Sequence, residues 1–371
     1  MWQARRGCGR QGGDVKATQT LHEHGQSLWL DNITRGMLDS GKIQHYIDKY
    51  SVTGLTSNPS IFDKAIESGY YDDAIRQGSR AGLSSEELFY ELAIEDLRRA
   101  ADEFLPVHER TDGVDGWVSL EVSPLLASDT AGTIEAAKTL HARAARPNLL
   151  IKIPGTAEGL PAITECVASG VPVNVTLLFS PEQYEAAADA YLAGVERRME
   201  RQLDPAVGSV ASVFMSRWDV EVATRVPEEL KDELGLAVGL ATYRSYRQLM
   251  DSDRVQRVQN SGGRIQRLLW ASTRTKDPAA SDTLYVYGLA APFTINTMPD
   301  VTLEAFYDHG EMGAPMPADG DGCDAMLARF RETGLDEGAL AAKLQSDGAK
   351  TFVAAWNDLV ERISAQRAAV A

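Results

Sequence analysis

The chain has 371 residues, 44% of them hydrophobic and 24% charged; that composition supports a substantial core and excludes wholesale disorder. Lys and Arg total 37 against 53 Asp and Glu, a net charge of −16, which excludes general nucleic-acid or anionic-lipid binding but not a local anion site. The cysteines Cys8, Cys166 and Cys323 are far apart, without CxxC or zinc spacing, and read as reduced thiols of a cytoplasmic protein.

Residues 1–20 carry arginines without an apolar stretch behind them and read as a loose tail rather than a signal peptide. No apolar run approaches a membrane span. From there β-rich runs alternate with helical stretches: LWLDNI (28–33), VTGLTSN (52–58), GWVSLEV (116–122), NLLIKIP (148–154), VPVNVTLLF (171–179), GSVASVF (208–214), QRLLWAS (266–272) and FTINTM (293–298). Helices are expected over 43–50, 84–104, 129–145, 181–203 and within 228–259. Repeated β-then-α order implies a mostly parallel sheet, and eight repeats predict one (β/α)₈ barrel over 21–371. An open doubly wound sheet is the alternative. Residues 302–310 begin another helix, and 311–324 read as a Pro/Gly/Asp-rich surface insertion. Residues 335–370 read as two C-terminal helices, with Phe352, Trp356, Leu359 and Ile363 on one face that packs on the barrel.

In such a barrel, reactive groups lie at the C-terminal ends of the strands. Asp31, Asn58, Glu121 and Lys152 stand near the ends of the first four runs. Asn174 and Thr176 are in the fifth, Ser212 in the sixth and Ser272 in the seventh. Period-two alternation puts Leu149, Ile151 and Ile153 opposite Lys152, and Val118, Leu120 and Val122 opposite Glu121. Taken singly, such residues have ordinary readings. A strand lysine usually reaches water, and Asn, Ser or Thr usually caps a helix, as Ser180 before Pro181 is expected to do. Asp, Glu and Lys at inward positions of separate strands are what point to a site. No phosphate-loop, dinucleotide or HExxH motif is present. DGDGCD (319–324) lacks calcium-loop spacing. The sequons at Asn32 and Asn174 fall within expected strands and read as chance matches.

Leu55-Thr56-Ser57-Asn58-Pro59-Ser60 resembles the T-[ST]-N-P-[ST] signature of the transaldolase family. Leu149-Leu150-Ile151-Lys152-Ile153-Pro154 resembles its Schiff-base strand, and Asn174-Val175-Thr176-Leu177-Leu178-Phe179-Ser180 its N-x-T-L-[LIV]-F-S strand. The resemblance runs from about residue 25 to the C-terminus, and its longer C-terminal region is similar to the larger bacterial branch. It implies a metal-free, cofactor-free transferase that moves a dihydroxyacetone unit between sugar phosphates, as a monomer or homodimer. By the same resemblance Lys152 is the nucleophile, while Glu121 and Thr176 hold a proton-shuttling water. Asp31 is the acid/base at the sugar hydroxyl. Asn58, Asn174 and Ser212 bind hydroxyls, and Arg217, Ser272 and Arg274 hold the phosphate. Around the sixth strand the family often shows Ser-Pro-Phe-x-Gly-Arg, whereas here Ser212-Val213-Phe214-Met215-Ser216-Arg217 lacks the Pro and Gly. A simple aldolase releasing free dihydroxyacetone is the alternative activity.

The chemistry fits these residue types. Carbon–carbon cleavage beside a carbinol needs an electron sink, which a protonated imine supplies. Only an uncharged lysine forms it, so an inward barrel position that strips solvent from the amine is favourable. Separate carboxylates can then serve imine formation and cleavage.

Overall fold

The computed structural model describes residues 15–370. Eight parallel strands close into a barrel in sequence order. They are β1 (Ser27–Leu30), β2 (Val52–Leu55), β3 (Val118–Glu121), β4 (Leu149–Pro154), β5 (Val173–Leu178), β6 (Ser209–Phe214), β7 (Arg267–Ala271) and β8 (Ile295–Met298). β8 pairs with β1, so neither end of the sheet is an edge. The open-sheet alternative is therefore excluded.

Most strands are shorter than the runs that announced them, because the chain leaves the sheet to cap a helix. β1 ends at Leu30, and Thr34 accepts from the Met37 amide at 3.1 Å, starting the helix Arg35–Asp39. Asn32 thus lies in a loop, not in a strand as expected, whereas Asn174 does lie in β5. The helix expected at 84–104 is Ser85–Arg110, opened by a capping box between Ser84 and Glu87. Ser180 caps the helix Pro181–Glu200 as expected. The expected tail at 1–20 lies mostly outside the described residues, but Ala17–Glu23 is helical, with Thr18 and Leu21 buried.

The expected pair of C-terminal helices is one helix, Glu337–Val370. Gly348 lies inside it, where glycine costs about 1 kcal/mol relative to alanine. Packing explains its presence. A Cβ there would stand 3.0 Å from Leu177 Cδ2 and 3.3 Å from Arg217 Nη1, so glycine lets the helix come this close to the barrel mouth without displacing either side chain. The expected apolar face does pack inward: Phe352, Trp356, Leu359 and Ile363 are all buried. Trp356 meets Phe89 edge-on at 5.1 Å.

The barrel is filled from the bottom. Asp115 accepts from Ser27, from Trp29 Nε1 at 2.7 Å and from the Gly116 amide at 3.1 Å. Arg267 lies 3.6 Å from the same carboxylate and donates to Ser27 Oγ at 2.7 Å. Above this polar plug sits the Trp29 indole. It fits because Gly54, its register partner on β2, has no side chain; a Cβ there would lie 2.5 Å from the ring. Overpacking of this kind costs typically 1–3 kcal/mol. Gly54→Ala is therefore expected to lower the unfolding free energy by about 1–3 kcal/mol in urea. Unchanged stability would show that Trp29 has room to move.

Candidate active site

A cavity of about 530 Å³ opens at the C-terminal ends of the strands. Lys152, Asp31, Thr176, Asn58, Ser212, Arg217, Ser272 and Arg274 all line it. Glu121 and Asn174 do not; they lie behind its wall and reach it through neighbours. A cavity of about 560 Å³ lies at the other end of the barrel around Asp115 and Arg267. Those two groups are paired with each other and with the backbone, which leaves no reactive amine or carboxyl there.

Register explains the grouping. Glu121 is the partner of Lys152, and Lys152 of Asn174, so three adjacent strands present one inward row. Lys152 Nζ lies 3.2 Å from Glu121 Oε2 and donates to the Ser57 carbonyl, also at 3.2 Å. Both residues of this pair are only 5% exposed, so water screens little of their interaction. Burial pushes the Glu121 carboxyl above the usual range; the Lys152 charge and hydrogen bond oppose that, while Asp31 adds to it. Asp31 is likewise raised by burial, against the pull of Lys152 and a hydrogen bond from Thr56. Both carboxyls thus hold a proton more readily than free ones.

The segment Thr56-Ser57-Asn58 leaves β2 with one task per residue. Thr56 Oγ1 donates to Asp31 Oδ1 at 2.8 Å and meets Thr297 Oγ1 at 2.7 Å. Ser57 anchors to the Ser119 carbonyl at 2.8 Å while its own carbonyl accepts from Lys152. Asn58 Oδ1 accepts from the Ile61 amide at 3.1 Å, capping the helix Pro59–Ile66. The ordinary reading of Asn58 is therefore correct, and its amide nitrogen is the part left for the cavity. Ser212 donates to Asn174 Oδ1 at 2.7 Å, and Asn174 donates to Ser119 Oγ at 3.1 Å, which joins β3, β5 and β6.

Buried polar atoms are nearly always hydrogen-bonded. Glu121 Oε1 and Thr176 Oγ1 are buried with no protein partner. Thr176 is followed by Leu177 at φ 61°, a left-handed conformation costly for a branched residue, and the β5–β6 register shifts there. Gln345 of the C-terminal helix holds this bend. Its Nε2 donates to the Leu177 carbonyl at 3.0 Å and to the Gly155 carbonyl at 3.1 Å, bridging the ends of β5 and β4.

On the far side of the cavity, Ser272 also has positive φ, 55°. Its hydroxyl meets that of Ser216 at 3.0 Å, while Thr273 donates to the Thr297 carbonyl at 2.9 Å. Arg217, at the start of the helix Ser216–Val222, lies over the Phe214 ring at 5.4 Å. Loss of the expected Pro and Gly has not moved Arg217 out of the cavity. Among the described residues, no cluster of His, Cys, Asp and Glu could hold a metal ion.

Sequence reasoning missed Thr56, Thr297, Lys64, Lys276 and the part played by Phe352. Thr56 lay inside a quoted motif and was visible there. Phe352 was read as packing; its ring also covers Lys152 Nζ, 5.5 Å away.

A family model described as transaldolase/fructose-6-phosphate aldolase matches residues 28–363. A protein named transaldolase from Thermobifida fusca (strain YX) is 44% identical over 361 residues, covering 95% of this chain and 98% of that one. One of the same name from Arthrobacter sp. (strain FB24) is 43% identical over 353 residues, covering 92% and 95%. A transaldolase 2 from Streptomyces avermitilis is 42% identical over 360 residues, covering 94% and 97%.

Removing the Gln345 bridge leaves two carbonyls without their partner, at a cost of about 1–3 kcal/mol. Gln345→Ala is expected to lose that much stability in denaturant. Gln345→Glu keeps the shape but lacks the donor, so it should lose at least as much. A Glu variant as stable as the original would show that the bridge contributes nothing.

Proposed function

The chain belongs to the transaldolase/fructose-6-phosphate aldolase family, and from that premise we propose how its residues divide the reaction. Its activity is that of a transaldolase: reversible transfer of dihydroxyacetone from sedoheptulose 7-phosphate to glyceraldehyde 3-phosphate. The products are erythrose 4-phosphate and fructose 6-phosphate. The observation that carries the residue assignment is the buried row of Glu121 and Lys152, with Asp31 facing the same amine.

Lys152, as the free amine, adds to the ketose carbonyl carbon. Glu121, holding the proton that the Lys152 ammonium gave up, and a water held with Thr176 pass one proton from the added amine to the carbonyl oxygen and then deliver the Glu121 proton to the resulting hydroxyl, which leaves as water. Loss of water leaves the protonated imine. The unpartnered Glu121 Oε1 and Thr176 Oγ1 support this placement of the water. Asp31 then accepts the proton of the hydroxyl beside the bond to be broken. The bond's electron pair moves into the imine and forms an enamine, and the aldehyde product leaves. An incoming aldehyde re-forms the bond, and Asp31 returns its proton to the new hydroxyl. Asn58, Asn174 and Ser212 orient the sugar, and Arg217, Ser272 and Arg274 take the phosphate. Phe352 above Lys152 limits water at the enamine, which supports transfer over release of dihydroxyacetone. We read the chain as a cytoplasmic monomer or homodimer, with buried free thiols at Cys166 and Cys323 supporting that compartment.

Fructose 6-phosphate with borohydride is expected to inactivate the enzyme and leave its adduct on Lys152. Peptide mapping decides it: an adduct on another lysine, or full activity in Lys152→Ala, removes the assignment. A second expectation follows from Asp31. The Thr56 bond favours the ionised carboxylate, so Thr56→Val lifts the Asp31 pKa further. Cleavage requires Asp31 ionised, so the acid limb of kcat/KM should move to higher pH. An acid limb that stays in place would mean that Asp31 is not the group it reports.

A further inference from the structure

We infer that Lys276 and Lys64 complete the phosphate seat begun by Arg217 and Arg274, and that the widened seat lets one site take ketose phosphates differing by one carbon in length. The inference rests on the transaldolase reading above and extends its binding site to two residues not yet assigned.

Four cations line the mouth cavity from three parts of the chain. Lys64 stands on the helix Pro59–Ile66, Arg217 on the helix Ser216–Val222, and Arg274 and Lys276 on the segment after β7. Elsewhere the chain pairs its arginines readily: Arg35, Arg146, Arg254 and Arg362 all hold carboxylates. Among the described residues, none of the four mouth cations has a carboxylate partner. The acids lining the same cavity are engaged elsewhere. Asp31 accepts from Thr56, and Asp300 faces Lys42 at 3.5 Å. In a chain with 53 acidic residues, four cations left unpaired around one cavity require a reason.

Lining one cavity, they also act on one another. The Lys276 ammonium is destabilised first by burial and then by the charges of Arg274, Arg217 and Lys64. Converging like charges are unfavourable unless an anion sits among them, and a phosphate dianion supplies that compensation.

The composition of the seat has a further meaning. The carbonyl carbon is fixed by its bond to Lys152, so the phosphate of a seven-carbon ketose lies one carbon–carbon bond, about 1.5 Å, beyond that of a six-carbon one. Arginine offers a planar fork that favours one oxygen geometry. Lysine offers a point charge on a flexible stem. Two forks therefore set the direction of the phosphate, and two lysines follow its displacement.

Steady-state kinetics of Lys276→Met and of Lys64→Met/Lys276→Met test both parts, with fructose 6-phosphate, sedoheptulose 7-phosphate and unphosphorylated fructose as donors. For Lys276→Met, kcat/KM for fructose 6-phosphate is expected to fall about tenfold relative to that for fructose, mainly through KM. Inorganic phosphate should become a correspondingly weaker competitive inhibitor, and Lys276→Arg should recover most of the phosphate dependence. Equal losses on fructose and fructose 6-phosphate would overturn the contact. In the double variant, the ratio of kcat/KM between the two ketose phosphates should shift; an unchanged ratio would overturn the length tolerance. Borohydride trapping with dihydroxyacetone, which carries no phosphate, separates the two levels. Labelling of Lys152 with a flat phosphate response overturns the seat alone, whereas no labelling in the wild type overturns the reading on which it rests.

Discussion

Everything at the barrel mouth depends on keeping one amine and two carboxyls out of water without letting them saturate each other. Lys152 and Glu121 form a buried pair at 3.2 Å. In isolation such a pair is weak evidence of stability, because desolvating both charges offsets much of their attraction. Here the pair is incomplete by design of the fold. Glu121 keeps one oxygen free, and Lys152 spends its second contact on a backbone carbonyl. Asp31 feels the same amine but is held by Thr56. Two carboxyls are thereby held near one amine, and burial favours their protonated forms. The cost of this arrangement is carried by the rest of the barrel, where Trp29 and the polar groups beneath it are buried and hydrogen-bonded.

The C-terminal helix belongs to this arrangement as much as the strands do. Gly348 sets how near it can come, Gln345 ties it to the ends of β4 and β5, and Phe352 closes over the amine. Those three residues occupy two turns of one helix. Arg362, three turns further on, holds Asp63 of the helix Pro59–Ile66 that Asn58 caps. One helix thus contacts the Asn58-capped helix, the ends of β4 and β5, and Lys152. This accounts for a helix that continues through a glycine: tertiary contacts along its length outweigh the local propensity.

Much of this was legible in the sequence, and the reasons differ between levels. Strand positions were readable because apolar alternation marks a sheet face, and Lys152 and Glu121 broke that alternation on the inward side. Helix Gly159–Ala168 was not, because it is short and apolar nearly all round, buried at Ala162, Ile163, Cys166 and Val167. Strand ends were misjudged where caps intervene, as at Thr34. The cluster of candidate residues was readable as a list, but not its layering. Nothing in the sequence distinguished Thr176, which lines the cavity, from Asn174, which lies behind it and bonds Ser212. Lys64 and Lys276 were invisible as site residues because surface lysines are common, and only the fold shows that these two converge.

The charge distribution follows the same logic at larger scale. A net charge of −16 repels sugar phosphates at long range, but salt screens that field within about 8–10 Å. Close to the mouth, the local charges decide. The acids of the mouth are tied to Thr56 and Lys42, while its four cations face the cavity. The field a substrate meets on entry is therefore opposite in sign to that of the whole molecule. In the proposed reading the phosphate end is drawn to these cations, whereas the amine stands on β4. Separation across the barrel lets binding energy at one end orient the carbonyl at the other. A closed barrel offers this because all eight strands end at one mouth, so that groups carried on separate strands face one cavity.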